Sequence, residues 1–144
     1  MSGARQTGSP PPSRPPWKIP PAAAWEREVR IRFRDWRFRI RDILEAIAAI
    51  AEYTDGMTYD EFLADRRTRD AVLRNLTTMG ESVRWIPDEV VARHPEVPWD
   101  TLRAVRNVVV HQYFGVDTAI LWETVQGDLP PLVPRLERVL DGRG

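Results

Sequence analysis

The chain has no cysteine, two histidines and a single lysine, Lys18, among its 144 residues. Without cysteine there can be no disulfide, thiolate metal site, iron–sulfur cluster or cysteine nucleophile. Because His94 and His111 are the only histidines, one chain cannot supply a three-histidine zinc site. The 21 basic and 21 acidic residues give a formal net charge of +0. Any attraction to nucleic acid must therefore come from local clusters of charge.

Long apolar runs are also missing. The longest, residues 46–51, is far shorter than the ~20 residues that span a bilayer. The N-terminal residues lead into prolines and not into an apolar segment, so we expect no signal peptide. These absences favour a soluble, cytoplasmic, single-domain protein with no membrane partner.

Proline is concentrated at one end of the chain. Seven of the 13 prolines lie within residues 1–21, interspersed with glycine and serine. A segment with few apolar side chains to bury predicts a disordered or extended tail. We therefore expect a Pro-rich tail over residues 1–21 and a helical domain over residues 22–144.

Apolar residues recur at helical spacing through most of that domain. The pattern predicts a long helix over Trp25–Tyr53 and a third helix over Thr68–Trp85, with a short helix between them. The short helix opens with the capping box Thr58-Tyr59-Asp60-Glu61. Later helices begin at residues that favour helix starts, namely Pro87, Pro98, Asp117 and Pro130. The sum is an all-α, up-and-down four-helix bundle with additional short helices.

One part of the long helix carries a second pattern. Over residues 28–41 apolar residues alternate with arginines, and a β-hairpin turning near Asp35 would satisfy that period of two. We favour the helix, because a lone two-stranded hairpin is marginal in water. Residues 27–41 hold seven arginines and two acidic residues. This excess predicts either a phosphate-binding ridge or a solvated face whose arginine stems cover apolar neighbours.

Polar residues interrupt the apolar helix that follows Pro98. Asn107 and His111 are four residues apart and share a face, where the Asn oxygen could accept the imidazole proton and fix its tautomer. Arg106 and Tyr113 share a different stripe. Arg106 and His111 are five residues apart, or about 140° around an ideal helix. To act together they need a distorted helix, a nearby helix end, or a second chain.

Two further polar residues lie outside this helix. We expect His94, next to Pro95, to be a loop or cap residue. Glu81 follows Gly80 and suits either a cleft-facing role or a buried hydrogen-bond partner, of which we favour the second.

The segment Arg106-Asn107-Val108-Val109-Val110-His111-Gln112-Tyr113 resembles the R-N-x3-H-x-Y motif of the HepT toxins, in the HEPN superfamily. Blocks in the same order as in that family extend the resemblance over about residues 36–140: Arg41–Ile47, Phe62–Asp65, Met79–Ser82, His94–Trp99, Tyr113–Asp117 and Leu129–Leu132. The resemblance implies a HEPN-type bundle that dimerises and a metal-independent ribonuclease with no cofactor.

The resemblance also implies roles for single residues. Arg106 and His111 match the catalytic pair, and Asn107 matches a supporting polar residue. Tyr113 matches the tyrosine to which a minimal nucleotidyltransferase antitoxin transfers AMP. The implied partners are an RNA substrate, that antitoxin, and further copies of the chain in a homodimer or higher even oligomer. Separately, we expect five arginines as possible RNA-binding residues: Arg30, Arg34, Arg37, Arg41 and Arg103.

The chemistry is coherent without a metal. RNA supplies its own nucleophile, the 2′-OH, so cleavage needs a base that works near neutral pH and a cation beside the phosphorus. His111 suits the first task and Arg106 the second. The alternative is a non-catalytic helical module that binds nucleotide or the nucleotidyltransferase, which predicts binding without cleavage.

Overall fold

The computed structural model describes Gly8, residues 35–113, Gly115 and residues 117–142. Within those residues the chain forms seven α-helices and no strand, which confirms the all-α prediction. The predicted tail over residues 1–21, apart from Gly8, lies outside the described residues, as do Arg30 and Arg34. None of the helices in the described part combines the length and apolar character needed to cross a bilayer.

The seven helices are numbered here in chain order. They are α1 (Trp36–Thr54), α2 (Tyr59–Ala64), α3 (Arg66–Val83), α4 (Asp88–Arg93), α5 (Trp99–Tyr113), α6 (Thr118–Glu123) and α7 (Leu132–Leu140). A π-helical turn, Thr124–Asp128, follows α6 directly. The helix predicted to begin at Asp117 therefore changes type after Glu123.

Helix α1 begins where an acidic side chain caps it. Asp35 accepts a hydrogen bond from the backbone N–H of Arg37 at 2.9 Å, which satisfies one of the free donors of the first turn. Residues 36–41 are helical, so a hairpin turning near Asp35 is wrong for this stretch. The prediction of one continuous helix over Trp25–Tyr53 is also wrong at Asp35, where the backbone is extended. The helical period prevails because it buries Ile40, Ile43 and Ile47 on one face.

Side-chain caps also determine where α2, α3 and α6 begin. Thr58 accepts the Glu61 N–H at 3.2 Å, which confirms the predicted start of α2. Asp65 accepts the Thr68 N–H at 3.0 Å, so α3 begins at Arg66 and not at Thr68. Asp117 accepts the Ala119 N–H at 2.9 Å, as its position before α6 predicted.

Helix α3 is the centre of the bundle. It packs between α1 and α5, while α7 packs on α1, and α2 contacts both α3 and α6. The largest fully buried side chains come from all of these helices: Ile40, Ile43, Phe62, Leu76, Met79, Leu102, Leu121 and Leu136. Each such burial contributes roughly 1.5–3 kcal/mol. The α3–α5 pair is therefore held by the core, and its outer edge positions the candidate site.

An aromatic cluster joins α2 to α6. Phe62 is fully buried, and its ring centroid lies 5.0 Å from that of Trp122, at an interplanar angle of 42°. The ring centroid of Tyr59, also on α2, lies 6.2 Å from that of Trp122. Such tilted pairs add to the energy of area burial. The cluster anchors α2, a helix of only six residues.

Candidate functional site

Helices α3 and α5 approach each other closely where Gly80 faces Arg106. A Cβ atom added at Gly80 would lie 3.6 Å from the Arg106 Cβ and 3.8 Å from its backbone nitrogen. A cleft of about 200 Å³ opens beside this contact, lined by Thr77, Gly80, Glu81, Arg106, Val109 and Val110. A methyl group at Gly80 would thus make ordinary van der Waals contact with α5, whereas a longer side chain would enter the cleft.

Arg106 is the cation of this cleft. Its side chain is exposed, and within the described part of the chain no acidic side chain lies within ion-pair distance of it. Arg103, one turn earlier on α5, is paired with Asp100 at 3.3 Å. An arginine without a carboxylate partner presents its planar fork of donors to a phosphate.

Glu81 lies at the rim of the same cleft. It is exposed, and its carboxylate pairs with Arg84 at 3.3 Å. The expectation of a buried hydrogen-bond partner is therefore wrong, and Glu81 instead lines the cleft. The i,i+3 spacing places Arg84 one turn along the helix, which allows the pair to form on the surface of α3.

His111 lies on α5 but does not line the cleft. It is exposed, as is Asn107, and no hydrogen bond joins the two side chains in the described part of the chain. Helix α5 runs without a break past both residues, so the predicted separation of about 140° between Arg106 and His111 holds. Within one chain, Arg106 therefore lines the cleft beside α3, whereas His111 lies on a different exposed side of α5.

Tyr113 is the last residue of α5, seven residues, or about two turns, beyond Arg106. Two of the other expected arginines lie on α1, away from the cleft. Arg37 lies over the Trp36 ring at 4.7 Å, and Arg41 lies over the Phe38 ring at 5.5 Å. Neither lines the Arg106 cleft.

His94 has a structural position between α4 and α5. It is buried and caps the C-terminus of α4, which confirms the predicted role. Its Nδ1 lies 3.0 Å from Glu96 Oε1, and its carbonyl accepts the Trp99 indole N–H at 2.9 Å. Hydrogen bonds from Glu96's own backbone N–H and from His94 lower the pKa of the Glu96 carboxyl below its ordinary value.

Thr77 and Gly80 were not singled out as site residues in the sequence. The sequence did contain one signal for them, the glycine at position 80 inside a predicted helix. Because glycine lowers helix stability, its presence there indicates a packing or functional reason, such as close approach of a second helix. Among the described residues, no three His, Asp or Glu side chains lie close enough together to hold a metal ion.

The cleft lies within a segment that is similar to known proteins. A family model described as "Ribonuclease HepT-like" matches residues 43–139, which is more than half of the chain and includes every residue of the cleft. The chain belongs to the HepT-like family. The match confirms the resemblance to the HEPN superfamily and leaves out Arg30, Arg34, Arg37 and Arg41.

Individual relatives of this HepT-like chain cover most of its helical part. "Probable ribonuclease HepT" of Thermococcus cleftensis is 40% identical over 100 residues, 69% of this chain and 91% of the relative. "Putative RNase MJ0127" of Methanocaldococcus jannaschii is 36% identical over 107 residues, 74% of this chain and 88% of the relative. No solved structure matches the chain significantly.

Proposed function

We propose that this HepT-like chain is the toxin of a type II toxin–antitoxin system and acts as a metal-independent endoribonuclease. One observation carries the proposal: Arg106 lines a surface cleft with no carboxylate partner among the described residues, on the helix that also exposes His111. The relatives named "Probable ribonuclease HepT" and "Putative RNase MJ0127" support RNA as the substrate.

The proposed reaction uses the RNA itself as nucleophile. An imidazole takes the proton of a 2′-OH, the oxygen attacks the adjacent phosphorus, and the bond from phosphorus to the 5′ oxygen breaks. A protonated imidazole donates to the departing oxygen, which leaves a 2′,3′-cyclic phosphate and a 5′-OH. Arg106 stabilises the negative charge that develops on the phosphoryl oxygens.

This reaction needs a base and an acid, whereas each chain offers one exposed histidine, His111. A two-fold dimer would bring two copies of the motif into one cleft and supply both. It would also place Arg106 beside His111 of the partner subunit, which the separation of about 140° prevents within one chain. Val110 lies between these two residues around α5 and is 46% exposed. An exposed apolar residue at this point suits the centre of a subunit interface.

Regulation is proposed to act through Tyr113. Its spacing from Arg106 places both residues on one stripe of α5. An AMP group on Tyr113 would add bulk and a phosphodiester charge near Arg106, and both would exclude RNA. Co-expression with a minimal nucleotidyltransferase should add the mass of one AMP to the wild type and none to Tyr113→Phe. An adduct that persists in Tyr113→Phe would contradict this role.

Cleavage of a labelled RNA in EDTA tests the activity. His111→Ala should lose activity by about 100-fold or more, since proton transfer contributes roughly 10²–10⁴-fold. Arg106→Ala should lose about 10²–10³-fold, as removal of one charge-stabilising donor does. Arg135→Ala is the matched control, because Arg135 is an exposed arginine of α7 and α7 packs on α1. Circular dichroism checks that all variants are folded.

Three outcomes would contradict the ribonuclease proposal. Cleavage that survives both Arg106→Ala and His111→Ala would place the chemistry elsewhere, and cleavage that disappears only with EDTA would require a metal. Tight binding of RNA or nucleotide without cleavage at high protein concentration would instead support the alternative, a non-catalytic binding module.

A further inference from the structure

A second depression, of about 530 Å³, runs along the outer side of α3. It is lined by Arg66, Asp70, Leu73, Arg74, Thr77 and Thr78, which we call the α3 stripe. At 3.6 residues per turn these positions follow one another along a single side of the helix. Thr77 also lines the Arg106 cleft, so the two depressions meet at that residue.

The acidic groups along this path are already paired. Asp70 of the stripe lies 3.8 Å from Arg66, and Glu81 of the cleft lies 3.3 Å from Arg84. By contrast, no acidic side chain of the described residues lies within ion-pair distance of Arg74. The uncompensated positive charges along the path are therefore those of Arg74 and Arg106.

The two threonines of the stripe donate their hydroxyl protons to the backbone of α3. Thr77 Oγ1 donates to the Leu73 carbonyl at 2.9 Å, and Thr78 Oγ1 donates to the Arg74 carbonyl at 3.2 Å. Because these protons are engaged by the helix, the threonines do not donate to a phosphate without losing those bonds. Affinity for an anion on the stripe therefore has to come from the guanidinium groups.

The charged residues of the path are spread along α3 and are not gathered at one point. Arg74 lies six residues before Gly80, the residue that faces Arg106, which is about 9 Å along α3. Arg66 lies about 12 Å further from the cleft. A strand lying along α3 would thus pass Arg66, which is paired with Asp70, and then Arg74 before it reached the cleft.

We propose that the α3 stripe binds the phosphates of single-stranded RNA and leads the strand to Arg106, with Arg74 as the main phosphate contact. This inference rests on the proposed ribonuclease function and specifies where its substrate lies. It differs from the expectation that arginines within residues 27–41 hold the RNA. Positively charged grooves that follow the backbone are the usual means of binding single strands without reading sequence.

The test measures RNA binding by the full-length chain in a His111→Ala background, where the RNA is not cut. Fluorescence anisotropy with a labelled single-stranded RNA gives the dissociation constant at several salt concentrations. Each phosphate contact on a single strand contributes about 0.7 to the salt slope. Arg74→Gln should therefore lower the slope by about 0.7 and weaken binding about fivefold at 0.1 M salt.

Two variants control this experiment. Arg135→Gln makes the same change of charge on α7, away from the stripe, and should bind as the background does. Arg74→Lys keeps the charge and should retain the salt slope, which separates phosphate binding from a local change in helix stability. Light scattering on each variant reports the number of copies in the complex.

The possible results separate this proposal from the ribonuclease proposal. If Arg74→Gln and Arg135→Gln bind RNA with equal affinity and equal salt slope, the proposal that the α3 stripe binds RNA is overturned, even if the wild type cuts RNA. If RNA binding depends on Arg74 but the wild type never cuts RNA, the proposed RNA-binding stripe is supported and the proposed ribonuclease activity is overturned. A changed molar mass in Arg74→Gln would show that the stripe contacts a second copy, which also overturns it.

Discussion

Replacing Gly80 by alanine tests the contact between α3 and α5 on which the site depends. Gly80 lies inside α3, where glycine costs about 0.8–1.0 kcal/mol of helix stability relative to alanine. The added Cβ would lie 3.6 Å from the Arg106 Cβ, which is ordinary van der Waals contact. Gly80→Ala should therefore raise the free energy of unfolding by about 1 kcal/mol, or the midpoint by about 3 °C.

A longer side chain at the same position should have the opposite effect. The branches of Gly80→Leu would meet Arg106 on α5, which is held in place by the buried residues Leu102 and Val109. Overpacking of this kind costs about 1–3 kcal/mol. The leucine would also fill much of the cleft of about 200 Å³, so cleavage of RNA should fall even in the folded protein.

Urea unfolding followed by circular dichroism measures both effects. Thr78→Ala is the control for helix propensity, because Thr78 is exposed on the same helix and does not line the Arg106 cleft. It should gain about 0.5 kcal/mol. If Gly80→Ala were destabilised by 1 kcal/mol or more while Thr78→Ala behaved normally, the two helices would be closer than described and the reasoning would be refuted.

Two further substitutions test the surroundings of the site. The pKa of Glu96 is lowered in the folded chain from its ordinary value near 4.5. The ionised carboxylate therefore stabilises the folded state above that ordinary value. This stabilisation is lost as the pH falls through the lowered pKa of the folded state. Wild type should therefore be more stable than Glu96→Gln at pH 7, and the difference measured by urea unfolding should shrink below about pH 4; a difference independent of pH would contradict this. Phe62→Ala should lower the free energy of unfolding by about 3–5 kcal/mol, whereas the exposed Tyr53→Ala should stay within about 0.5 kcal/mol; equal losses in the two variants would show that the aromatic cluster does not anchor α2.

Local chemistry explains why most helix boundaries could be predicted. Thr58 and Asp117 cap the helices that follow them because their side chains bond to N–H groups within three residues. The start of α3 was missed by two residues, since Arg66 and Arg67 are polar and the apolar period begins later. The π-helical turn after Glu123 has no such local signal. The turn is capped by Leu129, whose backbone N–H donates to the Thr124 carbonyl at 3.1 Å and whose side chain is buried.

The site could be predicted only in part, for a related reason. The position of Arg106 relative to His111 follows from the helical period alone, and α5 has that period throughout. The cleft depends on the approach of Gly80 to Arg106, which are 26 residues apart in the chain. That approach is set by tertiary packing of α3 on α5, as is the meeting of the α3 stripe with the cleft at Thr77.

Mixing wild type with an inactive variant tests the central claim most directly. If the two imidazoles of a dimer serve one cleft, a dimer of one wild-type chain and one His111→Ala chain lacks either the base or the acid and should be nearly inactive. After unfolding and refolding with a tenfold excess of His111→Ala, most wild-type chains lie in mixed dimers, so cleavage of RNA per wild-type chain should fall about tenfold. Unchanged cleavage per wild-type chain, with mixed dimers verified by mass, would contradict a site shared between two chains.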